Sequence, residues 1–138
     1  MELKRINDHL SVCGQIAPED VASLKAAGFV TIINNRPDGE SPDQVPGAEI
    51  EAAAKAAGLA YYAIPLGREG VSPDMVEKTH AALEGSNGPV FAFCRSGTRS
   101  TTLWALSQAG EREAGEIISQ AAEAGYDMSH LAGHLSQK

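Results

Sequence analysis

At 138 residues with 43% hydrophobic side chains, the chain is the size of one domain, residues 1–138, with enough apolar material to close a core without covalent staples. Two cysteines, Cys13 and Cys94, exclude a disulfide framework and point to a reducing cytoplasm, and the first residues hold no apolar run of signal-peptide or membrane-span length. Eighteen acidic against eleven basic residues give a net charge of −7, which works against nucleic acid and membrane surfaces as partners.

Leu10-Ser11-Val12-Cys13-Gly14 alternates and ends on glycine, as a short strand and turn do. A helix follows, with Pro18 at its first position, Glu19 and Asp20 at its positive end, Val21 and Leu24 on one face and Gly28 as its stop. Phe29 to Ile33 is β-branched and continuous, the pattern of a strand buried on both faces of a parallel sheet.

Asn34 to Pro46 is a polar loop too long for a simple connection. An alanine-rich helix from Ala48 to Ala57 leads to a strand over Ala60 to Ile64, and Ser72-Pro73-Asp74 opens a helix with Met75, Val76, Thr79 and Leu83 inward. Pro89 to Phe93 is a strand, Thr98 to Ala109 a helix, and two further helical stretches cover Glu113 to Ala124 and Ser129 to Ser136. Strands alternating with helices predict an α/β fold of three layers, α/β/α, on a mostly parallel central sheet.

Between the last strand and its helix lies Cys94-Arg95-Ser96-Gly97-Thr98-Arg99-Ser100. Ligands of open parallel sheets bind at the carboxyl ends of the strands, and a thiol is a nucleophile only as thiolate, a form favoured by a helix N-terminus and by cations. The backbone N–H groups of Ser96, Gly97, Thr98 and Arg99 are expected to form an anion nest, with Gly97 supplying the backbone freedom it needs. Arg99 is the candidate fork for an oxyanion, Arg95 adds charge, and Ser96 or Ser100 is placed to hydrogen-bond the sulfur. The competing reading is a small buried core cysteine, which two arginines and a glycine within five residues argue against.

At these residues the loop resembles that of rhodanese-type sulfurtransferases, whose cysteine carries a persulfide. Val12-Cys13-Gly14-Gln15, Gly28 to Glu40, Tyr62-Ala63-Ile64-Pro65 and the loop together resemble the phosphatase-like domain of beta-lactamase-hydrolase-like proteins, itself similar to dual-specificity protein phosphatases. The first resemblance implies sulfane-sulfur transfer from a small donor to a thiol or cyanide acceptor through Cys94; the second implies hydrolysis of phosphate monoesters. For fused relatives it also implies a persulfide-oxidising enzyme as partner.

Loop length separates the two. Phosphatases of that superfamily place five residues between cysteine and arginine, whereas four separate Cys94 from Arg99, a tighter ring better suited to one terminal sulfur than to a phosphoryl group. Phe93 stands where phosphatases usually carry histidine, and Leu66-Gly67-Arg68-Glu69-Gly70 occupies the stretch expected to hold an aspartate acid. Sulfurtransferase is therefore the leading expectation and phosphatase the alternative. Glu69 or Asp38 is the candidate general acid if either loop folds over Cys94.

Asn34, Asn35, Arg36 and Asp38 follow a buried strand and belong at the same sheet edge, as site lining or as ordinary turn chemistry. Arg68 shares that ambiguity. His130 and His134 share a helix face but have no third ligand, so no metal site is expected, and no motif calls for a cofactor. Cys13 is a space-filler beside the sheet or a resolving thiol for Cys94.

Overall fold

The computed structural model describes residues 1–136. Five strands, β1 (Lys4–Arg5), β2 (Leu10–Cys13), β3 (Thr31–Asn34), β4 (Ala60–Ala63) and β5 (Val90–Phe93), form one sheet in the order β1-β2-β5-β3-β4. All neighbours run parallel except β1, which is antiparallel to β2. The helices are α1 (Asp20–Ala26), α2 (Gly47–Ala57), α3 (Pro73–Glu84), α4 (Thr98–Ser107), α5 (Ala114–Glu123) and α6 (Ala132–Leu135), with a 3-10 turn at Ser129–Leu131. The fold is the expected three-layer α/β class.

β5 explains the layering. Val90 and Ala92 face one core with Leu103, Trp104 and Ile117, while Phe91 and Phe93 face another with Val21, Leu24, Ile32 and Ile50. A strand apolar on both faces must be covered on both. On the second face Phe29 meets Phe91 edge-on at 5.8 Å and Phe93 stacks on Phe91 at 6.2 Å.

Because β5 inserts between β2 and β3, chain connections leave its two neighbours in different directions and open a crevice at the carboxyl ends. The segment Cys94 to Gly97 fills that position, and α4 starts directly after it. No helix among the described residues is long and apolar enough to cross a membrane.

Several local expectations shift. Strand β1 is too short for a hydrophobic pattern to announce it. The third strand lies at Thr31–Asn34, with Phe29 spent on core packing before it. Pro18 sits in the turn ahead of α1, where the Asp20 carboxylate accepts the Ala17 N–H at 2.9 Å. The stretch Ser129 to Ser136 divides into the 3-10 turn and α6. As expected, the Ser72 side chain caps α3 by accepting the Met75 N–H at 3.3 Å.

Candidate active site

Cys94 is wholly buried at the end of β5, its N–H bonded to the Cys13 carbonyl at 3.3 Å. Burial alone would suit a core cysteine; the surroundings do not. The Gly97 N–H donates to Cys94 Sγ at 3.0 Å, and the Arg99 guanidinium, held protonated chiefly by Glu40, lies beside the sulfur as well. Gly97 adopts φ +93°, a left-handed conformation that lets the turn aim this N–H at the sulfur, and it caps α4. Of the expected nest, this amide is the one hydrogen-bonded to sulfur among the described residues.

Neither serine bonds the sulfur, contrary to expectation. Ser96 Oγ pairs with Thr98 Oγ1 at 3.2 Å, while Ser100 Oγ is buried in the first turn of α4 without a hydrogen-bond partner. Thr98 is thus turned to solvent with Ser96 rather than toward Sγ.

The fork of Arg99 is also differently employed. Its two Nη atoms reach the two carboxylate oxygens of Glu40 at 2.7 and 2.8 Å, and Nη1 also donates to the Leu66 carbonyl at 2.8 Å. On the other side, Arg36 Nε donates to Glu40 Oε1 at 3.0 Å, with its remaining nitrogens on Gln15 Oε1 at 3.0 Å and Ser41 Oγ at 3.3 Å. Arg36 is buried and supports Glu40 from behind. The hydrogen bond from Arg99, reinforced by Arg36 and opposed by partial burial, pulls the Glu40 carboxyl down to about 2. Glu40 escapes sequence reasoning, although the overlong loop that carries it was a visible signal.

Asp38 and Glu69 part company. Asp38 Oδ1 accepts the Gly47 N–H at 2.8 Å, tying down the start of α2. Glu69 lines a cleft of about 580 Å³ together with Pro37, Glu40, Arg68, Arg95 and Arg99. The cleft therefore joins both loop arginines, a third arginine and one acid free of the Arg99 bridge. Asp38 faces a smaller hollow beside α2 and Tyr61. Asn34 and Asn35 serve as turn ties: Asn34 Oδ1 accepts the Arg36 N–H at 2.9 Å, and Asn35 Nδ2 donates to the Ile64 carbonyl at 2.8 Å.

Two glycine approaches seal the underside of the loop. A Cβ on Gly14 would stand 2.8 Å from the Arg95 carbonyl oxygen, and one on Gly97 would stand 2.2 Å from Tyr126 Oη. Tyr126, a residue sequence reasoning passed over, donates its hydroxyl to the Ser96 carbonyl at 3.0 Å.

A parallel α/β/α sheet that presents a cysteine loop and an arginine at a helix N-terminus defines a phosphatase-like, cysteine-based domain. The family described as beta-lactamase hydrolase-like protein, phosphatase-like domain, matches residues 2–111, and the chain belongs to it. A beta-lactamase hydrolase-like protein of Agrobacterium fabrum strain C58 is 40% identical over 109 residues, 79% of this chain and 25% of that protein; the chain thus spans about a quarter of that curated relative. The crystal structure of a candidate phosphatase from Neisseria meningitidis Z2491 superposes with TM-score 0.83 and 30% identity, covering 99% of this chain and 97% of that one. PTPMT1 shares the fold at TM-score 0.72 and 15% identity, covering 97% of this chain and 91% of that one. These likenesses favour the phosphatase alternative over the leading sulfur-transfer expectation, which none of them supports.

Proposed function

We propose that the chain hydrolyses phosphate monoesters through a phosphocysteine on Cys94. The observation that carries this reading is the cleft that gathers Arg95, Arg99 and Glu69 at the mouth of the cysteine loop. Sequence alone left the general acid in doubt, and the position of Glu69 on the cleft wall with Arg95 and Arg99 supports it in that role.

In the first step Cys94 Sγ attacks phosphorus, the bond from phosphorus to the ester oxygen breaks, and Glu69 gives its proton to the departing oxygen. Arg99 and the Gly97 N–H balance the charge on the phosphoryl oxygens. In the second step water, losing a proton to Glu69, attacks phosphorus, and the S–P bond breaks to return thiolate and phosphate. Since Cys94 is buried, the Arg99 side chain exchanges Glu40 for the incoming anion, a rotamer change on a helix that stays in place.

A second reading, sulfane-sulfur transfer, draws on the four-residue spacing between Cys94 and Arg99. There Sγ attacks the outer sulfur of thiosulfate, sulfite leaves, and an acceptor thiolate or cyanide later removes that sulfur from the cysteine. One pair of assays on wild type and Cys94→Ser separates the readings. Hydrolysis of an aryl phosphate, lost in Cys94→Ser, supports the first. Inactivity on phosphate esters, with a mass gain of one sulfur at Cys94 after thiosulfate, overturns it in favour of the second.

A further inference from the structure

The Ser96–Gly97 peptide unit is held at both ends. Its N–H end donates to Cys94 Sγ at 3.0 Å, and its C=O end accepts the Tyr126 hydroxyl at 3.0 Å. The next carbonyl, that of Gly97, is fixed by Thr101 through its N–H at 3.0 Å and its hydroxyl at 2.8 Å. The carbonyl end of the sulfur-facing peptide is therefore anchored by one side chain thirty residues downstream, with Thr101 holding the carbonyl that follows.

The chain places that side chain by a specific device. α5 ends in a Schellman turn: the Gly125 N–H bonds the Ala122 carbonyl at 3.0 Å and the Tyr126 N–H bonds the Ala121 carbonyl at 2.9 Å, with Gly125 at φ +104°. The turn sends the Tyr126 ring against the core and its hydroxyl under the loop. The contact is close enough that any Cβ at position 97 would collide with the hydroxyl. Partial burial and the nearby Cys94 and Cys13 sulfurs raise the Tyr126 pKa, so the phenol keeps its proton and remains a donor.

We propose that Tyr126 is a positioning residue for the nucleophile: by holding the Ser96 carbonyl it keeps the Gly97 N–H on Cys94 Sγ and so favours the thiolate. Donation to one end of a peptide also polarises the N–H at the other. Without the hydroxyl, the Ser96 carbonyl has no side-chain anchor, the peptide unit keeps only the hold of Thr101 on the next carbonyl, and the hydrogen bond to sulfur weakens. The charged group beside Cys94 is Arg99 from α4, with Glu40 acting through it, while Cys13 from β2 meets Cys94 through its backbone carbonyl. The inference rests on Cys94 being the nucleophile, whichever group it transfers.

The test is the pH profile of Cys94 alkylation by iodoacetamide, followed by peptide mass so that Cys13 is read separately, in wild type and Tyr126→Phe. Phe keeps the ring packing and removes only the donor. The expected result is an upward shift of about one pH unit in the midpoint, with alkylation near neutral pH roughly tenfold slower. In parallel, the Gly97 amide resonance of wild type follows the Cys94 titration, and in Tyr126→Phe this response is lost. Superimposable profiles, or a loss of thermal stability with an unmoved midpoint, overturn the positioning role. A wild-type Cys94 that resists alkylation at every pH sinks the nucleophile assignment itself, a result distinct from either.

Discussion

Arg99 and Glu40 meet fork to fork across 59 positions of sequence, both nitrogens of one on both oxygens of the other at 2.7 and 2.8 Å. Arg36, buried behind Glu40, shares the same carboxylate. One acid thus pairs with two arginines, the buried Arg36 and Arg99 of the cysteine loop.

Glu40→Gln separates these duties. Arg36 loses its counter-charge in a buried setting, so stability falls by about 1–3 kcal/mol, read as a lower urea midpoint with unchanged slope. Arg99 loses the carboxylate it has to leave to take the incoming anion, so KM for an aryl phosphate is expected to fall. An unchanged urea midpoint would show that Arg36 does not depend on Glu40.

The depressed Glu40 carboxyl sets an acid limit. A group held at about 2 when folded, against 4.5 ordinarily, contributes stability that is complete above pH 4.5 and fades as pH falls toward 2. Wild type therefore exceeds Glu40→Gln in stability by a margin that is constant from pH 5 to 7 and narrows below about 4.5. Chemical denaturation of both proteins across that range measures the margin; one that stays flat to pH 3 contradicts the ion-pair geometry.

Of the two candidate acids, only Glu69 faces the cleft. Glu69→Gln is expected to lower kcat for esters with poor leaving groups by about 100-fold or more, while an activated aryl phosphate suffers less. Asp38→Asn weakens the tie to Gly47 and lowers stability modestly, with turnover retained. Equal kcat losses in both variants would displace Glu69 from its role.

Gly14 lies against the loop from the neighbouring strand's end. In Gly14→Ala the added methyl, 2.8 Å from the Arg95 carbonyl oxygen, pushes on backbone that cannot yield without moving the loop. The expected result is a loss of activity larger than the fall in melting temperature, read by kinetics and calorimetry on the same preparation.

The sheet and the cysteine loop are legible in the sequence because their determinants are contiguous. Continuous apolar strands, the run from Cys94 to Ser100 and the capping signal at Ser72 each act within a few residues. What stays hidden depends on long-range placement. Nothing local marks Glu40 as the partner of Arg99, or Tyr126 as the support of a loop thirty residues earlier. The two candidate acids look alike on paper, and only the path of the chain after β3 turns Asp38 toward α2 while the segment after β4 leaves Glu69 on the cleft. Ser100 fails as a sulfur ligand for the same kind of reason: its position in the first turn of α4 directs it into packing.

The strand order has a kinetic corollary. Because β5 is the last strand in chain order yet lies between β2 and β3, those two cannot pair with each other, and although β2 has β1 and β3 has β4 on their outer edges, their inner edges gain a partner only after residue 90 is available. Closing contacts over such separations is slow, and until then β2 and β3 expose unpaired edges. The loop that carries Cys94 is therefore set by the same event that zips the middle of the sheet.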